Sequence, residues 1–365
     1  LVRIKFPKVN NLYAYYFLKS KYYEINKKAK GSGTPHVDPD LLWNYDFPIA
    51  PLKTQERIVS FLNDEFKKIT LIEDNLNITK KKLKYFRQSL MNNAFLGRIS
   101  DSWRKKNKCG NIDQLLSKIK IEYEEIYLEE KKLLNKKDKK KPKKFVPSDP
   151  EALELLQKNL DTIPKQWKWV RVKDISILGT GATPLKSETK YYLNGNIPWL
   201  TSGALNKNFI EDCDEYITKE AYDKTNLRLY PPNTLLLAMY GEGKTRGKCS
   251  ELKIKATTNQ AIAAIVMNRT ASKLKKYLKL FFQKNYYSLR EKASGGVQPN
   301  LNLDIIKNTP VPLCSIEEAN FIVEELEKKI SVIENIHDSL DEQLKEIEYY
   351  KFSLLRSIFL GKEIY

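Results

Sequence analysis

The chain has 365 residues and a formal net charge of +19 at pH 7, from 64 Lys and Arg against 45 Asp and Glu. This length is enough for two or three domains with buried cores, and the basic excess favours a polyanionic partner, nucleic acid before an anionic membrane surface. The four scattered cysteines and two distant histidines argue against a disulfide framework and a metal centre, and no apolar run is long enough to span a membrane.

An internal repeat organises the chain. Residues 13–99 align without a gap with residues 277–363. Each copy predicts a short helix (11–28 and 273–292), then a turn that contains glycine and proline, then a long helix. The match includes residues that helical periodicity does not require: Gly31 and Gly295, Pro48 and Pro312, Gly97 and Gly361.

The long helix of each copy has a seam of mainly apolar residues at alternating spacings of four and three, over 55–94 and over 319–358. This heptad pattern predicts two helices of about 40 residues, each about 60 Å long, that pack together. Two copies of one unit tend to pack about a pseudo-twofold axis, so we expect the helices to be antiparallel. Glu73 and His337 then meet at the midpoint, and we predict that they pair; the alternative is that both side chains face outward independently.

Residues 100–162 form a charged connector between the two copies. Within it, 131–144 contains nine lysines, and three prolines lie close by. Such a run is typical of a solvated linker, and a non-specific contact with phosphate is the alternative.

From residue 163 the composition changes to short apolar segments separated by Gly, Asn and Pro, at 167–172, 196–202, 233–240 and 261–266. These segments predict a compact mixed domain, rich in β-structure, that ends near residue 313. The predicted fold class is therefore α+β, with a β-rich domain and two long antiparallel helices that form a coiled coil.

Residues 238–245 match a loose phosphate-loop pattern that ends in Gly-Lys-Thr after an apolar strand. A phosphate loop must open a helix, and the residues after Thr245 are a poor helix start. We therefore favour a basic turn in which Lys244, Arg246 and Lys248 face DNA, where Arg reads guanine and Lys neutralises phosphate.

Two further loops are candidates for DNA contact. Thr180 and Thr183 lie in a loop of small residues that would let the backbone approach DNA while both hydroxyls donate to phosphate. Thr258 precedes Asn259 and Gln260, whose amides are able to pair with adenine. The alternatives are a plain strand connection for the first loop and turn chemistry before a strand for the second.

Catalytic patterns are missing from the sequence. We find no Asn/Asp-Pro-Pro-aromatic motif of a methyltransferase, no acid and lysine cluster of a nuclease, and no plausible Ser-His-Asp set. We therefore expect no catalytic residues, no metal ligands and no cofactor bound by this chain itself.

Several motifs occur in a fixed order, and the order is more specific than any one of them. They are PKQWKWV at 164–170, GTGATP at 179–184, IPWL at 197–200, AMYG at 238–241 with TRG at 245–247, TTNQAI at 257–262, and FLG at the end of both repeats. In this order they resemble the specificity subunits of type I restriction–modification enzymes over nearly the whole chain.

This resemblance implies two target-recognition domains, each followed by a conserved helix, with the antiparallel helices setting the spacing of two DNA half-sites. It implies as partners double-stranded DNA, two methyltransferase subunits that bind S-adenosylmethionine, and restriction subunits that cut DNA using ATP. It also implies a cytoplasmic protein without membrane contact.

The resemblance divides the chain into a C-terminal remnant of the first target-recognition domain (1–50), a first spacer helix (51–99), the connector (100–162), a complete second target-recognition domain (163–313) and a second spacer helix (314–365). The chain begins at Leu1 instead of Met. By the repeat, the counterpart of residue 163 would lie about 100 residues before Leu1, so we expect the first domain to lack most of its residues.

We therefore predict a non-catalytic subunit that reads one half of a bipartite DNA site and docks methyltransferase subunits. The alternatives are an NTP-binding enzyme that uses 238–245, and a coiled-coil interaction protein without DNA specificity. The predicted DNA-contacting residues are Thr180, Thr183, Lys186, Ser202, Lys207, Tyr240, Lys244, Thr245, Arg246, Lys248, Thr258, Asn259, Gln260 and Gln298.

Overall fold

The computed structural model describes residues 8–27, 44, 46–133, 140–241, 244–291 and 300–360. The chain divides into two compact units. Unit 1 contains Leu1–Arg87 and Ile330–Tyr365, and unit 2 contains Gln88–Lys329. The division falls within both long helices, so each of these helices contributes residues to both units.

The α-helices follow the repeat, because the short helix of each copy is interrupted at the equivalent residue, Lys21 or Asn285. In chain order they are α1 (Asn11–Ser20), α2 (Tyr22–Lys27), α3 (Leu52–Phe95), α4 (Asp101–Lys106), α5 (Ile112–Leu133), α6 (Pro150–Asn159), α7 (Lys219–Lys224), α8 (Lys275–Lys284), α9 (Tyr286–Glu291), α10 (Leu303–Lys307) and α11 (Ile316–Phe359).

Among the described residues, the β-strands lie in unit 2. They are β1 (Lys168–Arg171), β2 (Ile177–Thr180), β3 (Ile197–Leu200), β4 (Phe209–Ile210), β5 (Tyr216–Ile217), β6 (Leu235–Ala238), β7 (Cys249–Leu252), β8 (Thr257–Thr258), β9 (Ile262–Val266) and β10 (Pro310–Leu313). A five-stranded sheet has the order β2-β9-β6-β7-β4, a three-stranded sheet has the order β5-β3-β8, and β1 pairs with β10. The predicted α+β class is confirmed.

The core of unit 2 lies against β6 and β9, whose residues are nearly all buried. Strands buried on both faces read as continuous apolar runs, which explains Leu-Leu-Leu-Ala in β6. In β3 the side chains alternate, so that Trp199 packs with Ile217 and Leu200 packs with Leu252. Thus β3 contributes to two separate apolar clusters.

In unit 1, α3 and the second half of α11 pack antiparallel. Leu62 contacts Leu355 and Ile358 in one apolar cluster. Every predicted seam residue of α3 is buried or half-buried, and so is every predicted seam residue of α11 except His337. The predicted seam of the helix pair is therefore confirmed.

The predicted pairing of Glu73 with His337 is wrong. Glu73 accepts a hydrogen bond from the Lys351 ammonium group at 2.5 Å, and the exposed His337 lies 3.3 Å from Asp341 on its own helix. Lys80 forms an ion pair with the same Asp341. His337 and Lys80 therefore share one carboxylate, that of Asp341, while Glu73 is paired with Lys351.

The physical reason is the register of the two helices. Their ion pairs place the meeting point of equivalent residues near Thr79 and Gln343, beyond the predicted midpoint. The last residues of α11 are instead covered by α1, because the ring of Phe359 packs edge-on against Tyr13 and Phe17 at 5.2 and 5.5 Å. Aromatic packing at the helix end therefore goes together with the shifted register.

The prediction of a solvated linker concerns 131–144, of which 134–139 lie outside the described residues, and it stays a prediction. The connector before this run packs within unit 2. Tyr123 of α5 is buried; its hydroxyl donates to Val266 O at 3.0 Å and accepts from Asn268 N at 3.1 Å. The side-chain amide of Asn268 in turn donates to Ile119 O at 2.8 Å. A few apolar residues at helical spacing suffice to bury one face of a highly charged helix, so the connector belongs to unit 2.

Glu318 joins the connector to the start of α11. This carboxylate is fully buried, and it accepts hydrogen bonds from the Ser100 hydroxyl (2.7 Å), the Trp167 indole (2.9 Å) and the Arg104 guanidinium (2.5 Å). Because each oxygen has a charged or strongly polar donor, the buried charge is compensated.

Candidate nucleic-acid interface

Four loops meet at one edge of unit 2, where β2, β3, β6 and β8 end. The amide of Asn259 donates to Leu200 O at 2.8 Å, which joins the ends of β8 and β3. The amide of Met239 donates to Ala261 O at 2.8 Å, which joins the end of β6 to the start of β9. We call this surface the loop edge and define it as residues 180–184, 201–207, 239–241, 244–248 and 258–261.

Gly181 allows the main chain of its loop to lie directly against the main chain of Thr258 in β8. A Cβ atom at this position would lie 1.5 Å from the carbonyl oxygen of Thr258, so any other residue would displace β8. The amide of Ala182 donates to the same oxygen at 3.1 Å. The small residues of this loop therefore form a strand connection, as the alternative interpretation predicted.

The hydroxyls of Thr180 and Thr183 form hydrogen bonds with other residues of the protein. Thr180 donates towards Ile262 O (3.0 Å) and Gln260 O (3.2 Å), and Thr183 donates to the side-chain oxygen of Gln260 (2.5 Å). The side chain of Gln260 is exposed and held by this bond. Donation of both hydroxyls to phosphate stays a prediction, and it requires these bonds to be exchanged.

The prediction for Thr258 is wrong, because this residue is fully buried between β3 and the glycine loop. Asn259 stabilises the turn before β9, as the alternative interpretation predicted. Its side-chain oxygen accepts a hydrogen bond from Ala261 N at 3.0 Å. Of the two amide side chains, Gln260 is therefore the better placed to reach a base edge.

The basic turn at 244–248 connects β6 and β7 as a hairpin. Gly247 N donates to Ala238 O at 2.8 Å, and Gly247 has a φ of 87°, which favours glycine. Residues of α9 hold the turn from behind: the Tyr286 hydroxyl donates to Lys244 O (2.7 Å) and Arg290 donates to Arg246 O (2.8 Å). After Thr245 the described residues lead into β7 instead of a helix, so the helix N-terminus that a phosphate loop requires does not follow this turn.

The side chains of the turn are ordered by Asn206, a residue that the sequence analysis missed. Its side-chain oxygen accepts from the ammonium group of Lys248 (2.8 Å) and lies 3.4 Å from the Thr245 hydroxyl. Lys244 is exposed. Asn206 ends the short 3₁₀ helix Ser202–Asn206, and no local sequence signal indicates its distant partners.

Lys207 has a carboxylate partner among the described residues. Its ammonium group lies 2.9 Å from Asp212, and this hydrogen bond raises the pKa of Lys207. Glu211 and Asp214 add negative charge nearby. A phosphate at Lys207 would therefore have to displace Asp212 and approach an acidic segment.

The remaining predicted residues differ in exposure. Lys186 and Tyr240 are exposed, and Ser202 and Arg246 are half-buried. Gln298 lies outside the described residues. The structure therefore brings most of the predicted residues to the loop edge, and their contact with DNA stays a prediction.

Within the described ranges, no group of three or more His, Cys, Asp or Glu side chains is placed to hold a metal ion. No helix in the described part of the chain has the length and apolar character needed to cross a membrane.

A family model described as "Type I restriction modification DNA specificity domain" matches residues 2–81 and 164–346. The two matched segments include most of the sequence repeat and the whole loop edge, and they leave out the connector 100–162. The match covers more than half of the chain.

Among curated proteins, the type I restriction enzyme EcoR124I/EcoR124II specificity subunit of Escherichia coli is 26% identical over 191 residues, which are 50% of this chain and 47% of that protein. The MjaIX specificity subunit of Methanocaldococcus jannaschii is 27% identical over 219 residues, 58% of this chain and 48% of that protein. The chain thus spans about half the length of these relatives.

Among solved structures, a chain reported in a study of complex assembly and conformational transition of the type I R-M system superimposes with a TM-score of 0.64. It is 14% identical, and the alignment covers 97% of this chain and 72% of that chain. This likeness supports the fold.

Proposed function

Because the chain belongs to the type I restriction modification DNA specificity domain family, we propose that it is a sequence-specific DNA-recognition and scaffold subunit of a type I restriction–modification complex. Unit 2 reads one half of a bipartite DNA site. Methylation and cleavage belong to partner subunits, the methyltransferase subunits and the restriction subunits.

The observation that carries this proposal is the convergence of side chains at the loop edge. Lys244 supplies exposed positive charge, and Gln260 supplies an exposed amide. The exposed Lys186 lies two residues beyond the first of these loops. Cations of this kind neutralise phosphates, whereas an amide distinguishes bases through their edges. The buried strands β6 and β9 behind the loops provide the rigid support that specific readout requires.

The helix pair supports the scaffold part of the proposal. The face of α3 away from the seam has exposed apolar side chains, among them Leu71, Ile72, Tyr85 and Phe86, and α11 exposes Tyr349. Exposed apolar residues on long helices are typical of surfaces that bind other proteins. We propose that these helices hold the methyltransferase subunits and set the distance between two half-sites.

The two alternative functions fit less well. An NTP-binding enzyme would need a helix after Thr245, where β7 follows after a short turn. An interaction protein consisting only of the helix pair would leave the ordered loop edge without a role.

DNA-binding measurements test this proposal. The chain, assembled with its methyltransferase subunits, should retain a specific set of duplexes from a random library, and Gln260→Ala should relax selection at one base pair. Lys224→Ala, which removes an exposed cation of α7, serves as the matched control and should leave selection unchanged. Retention without any sequence preference would contradict the proposal.

A further inference from the structure

Unit 2 contains a second group of cations, in a cavity of about 860 Å³. The cavity lies between α5, residues 140–143 and β2, and it is lined by Ile177 at the start of β2 and Val266 at the end of β9. The loop edge lies at the opposite ends of these two strands. Five cationic residues line this cavity: Lys140, Lys141, Lys143, Lys224 and Arg228. Lys224 is paired with Glu220 at 2.7 Å, whereas Lys140, Lys143 and Arg228 are three cations held by main-chain groups.

Each of the three cations is positioned by one hydrogen bond to a main-chain carbonyl group. The acceptors are Tyr222 O for Lys140 (2.7 Å), Leu178 O for Lys143 (2.9 Å) and Lys141 O for Arg228 (2.8 Å). An ammonium group has three N–H donors and a guanidinium group has five, so each cation keeps further donors for a ligand. The ammonium group of Lys140 also lies over the ring of Tyr222, 3.0 Å from its centroid.

The charges of the cavity are not balanced by its carboxylates. Asp223 and Glu130 line the cavity, and within the described ranges neither forms an ion pair with the three cations. Burial, with a smaller contribution from the charge of Arg228, lowers the pKa of Lys140 and of Lys143 to about 8, and for Lys140 the charge of Asp223 acts in the opposite direction. Partly buried cations that lie close together, each disfavouring the charge of the other, are typical of a site that binds an anion.

The other walls suit an organic group. Ile126, Leu229 and the half-buried ring of Tyr127 line the same cavity. A volume of this size lies within the range of about 300 to 1,000 Å³ found for small-molecule sites. Lysine and arginine together are typical ligands of phosphate.

We propose that this cavity binds a small organic phosphate of nucleotide size, whose phosphate is held by Lys140, Lys143 and Arg228. The organic part lies against Tyr127, Ile126 and Leu229. This inference goes beyond the proposed DNA recognition, because its ligand is a free small molecule at a different place in unit 2.

The test below distinguishes phosphate binding from two other roles of these cations. The lysines cover the free edge of β2, which is the outer strand of its sheet, and would then protect that edge alone. Alternatively, they contact the backbone of DNA.

The test measures acylation of individual lysines in the intact chain at pH 8, by mass spectrometry, with AMP, adenosine, inorganic phosphate or duplex DNA as probe. AMP should slow the acylation of Lys140 and Lys143 and leave the exposed Lys144 unchanged, while adenosine, which lacks a phosphate, should have no effect. Inorganic phosphate should protect the same two lysines at higher concentration.

A second experiment measures AMP binding by calorimetry. The double substitution Lys140→Met and Lys143→Met should weaken AMP binding by about tenfold or more, because charged hydrogen bonds are lost, whereas Lys144→Met should leave it unchanged. Protection by duplex DNA alone would overturn the proposal in favour of a DNA contact. The absence of protection by any probe would overturn it in favour of a strand-edge role.

Discussion

Tyr13 and Tyr277 lie 264 positions apart and make the same hydrogen bond. The hydroxyl of Tyr13 donates to Pro48 O at 2.9 Å, and that of Tyr277 donates to Pro312 O at 2.6 Å. The two prolines are also 264 positions apart. The internal repeat is therefore preserved at the level of individual contacts.

The rings of the same two tyrosines contact the opposite repeat. Tyr13 packs against Phe359 at 5.2 Å, and Tyr277 packs against Phe95 at 4.9 Å. Each unit thus combines the short helix of one copy with the end of the long helix of the other, so unit 1 and unit 2 each depend on both copies.

Removing the Tyr277 hydroxyl should destabilise the protein. Tyr277→Phe leaves the buried carbonyl of Pro312 without this donor, so we expect a loss of about 1–2 kcal/mol in the free energy of unfolding, measured with urea. Tyr216→Phe, at an exposed tyrosine, is the control and should change it little. Equal stability of both variants would show that the Tyr277 bond contributes nothing.

Substitution of Gly181 should disturb the loop edge specifically. In Gly181→Ala the new methyl group clashes with Thr258 O, so DNA affinity should fall and the free energy of unfolding should fall by about 1–3 kcal/mol. Gly203→Ala, where the nearest atom lies 4.0 Å away, is the matched control. A Gly181→Ala protein with unchanged DNA binding would contradict the role of this loop.

The salt dependence of DNA binding should distinguish the cations of the loop edge. Lys244→Ala should reduce the slope of log K against log salt by about 1, as expected for one lost phosphate contact. Lys207→Ala should change the slope little, because Lys207 is already paired with Asp212. The opposite order of the two effects would place the DNA nearer to Lys207.

The stability of the protein should depend on pH through Lys143. Its pKa is lowered from 10.5 to about 8 by burial, so between these values the unfolded chain binds more protons than the folded one. The contribution of this lysine to stability is therefore least favourable below pH 8 and improves as the pH rises towards 10.5. Urea titrations at pH 7.5 and 9.5 should show this rise relative to Lys143→Met, and a constant difference would contradict the lowered pKa.

The periodicity of the sequence predicts the elements but not their register. Heptad spacing identifies the seam of α3 and α11, since burial of one stripe is a local property of each helix. The partner of Glu73 depends instead on the register of α3 against α11, which no local pattern encodes. The same reason explains why Lys351 was not predicted as the partner of Glu73.

Composition is a poor guide to burial where a few apolar residues outweigh many charges. The connector reads as solvated because of its lysines, yet Tyr123 stacks on Phe145 at 4.4 Å inside unit 2. At the loop edge, residue type does not indicate which side chains reach the surface. Gln260 is exposed, whereas Thr258, two positions earlier, is buried. Asn206 was missed because its partners are about 40 residues away in sequence.

The most direct test of the proposed function is to map methylated bases in a host that carries the intact system, with the natural chain and with Arg246→Ala or Gln260→Ala. We expect a bipartite methylated motif in which these substitutions change the bases of one half and leave the other half and the spacing unchanged. A motif identical for all variants, or methylation without a bipartite motif, would contradict the conclusion that the loop edge reads DNA sequence.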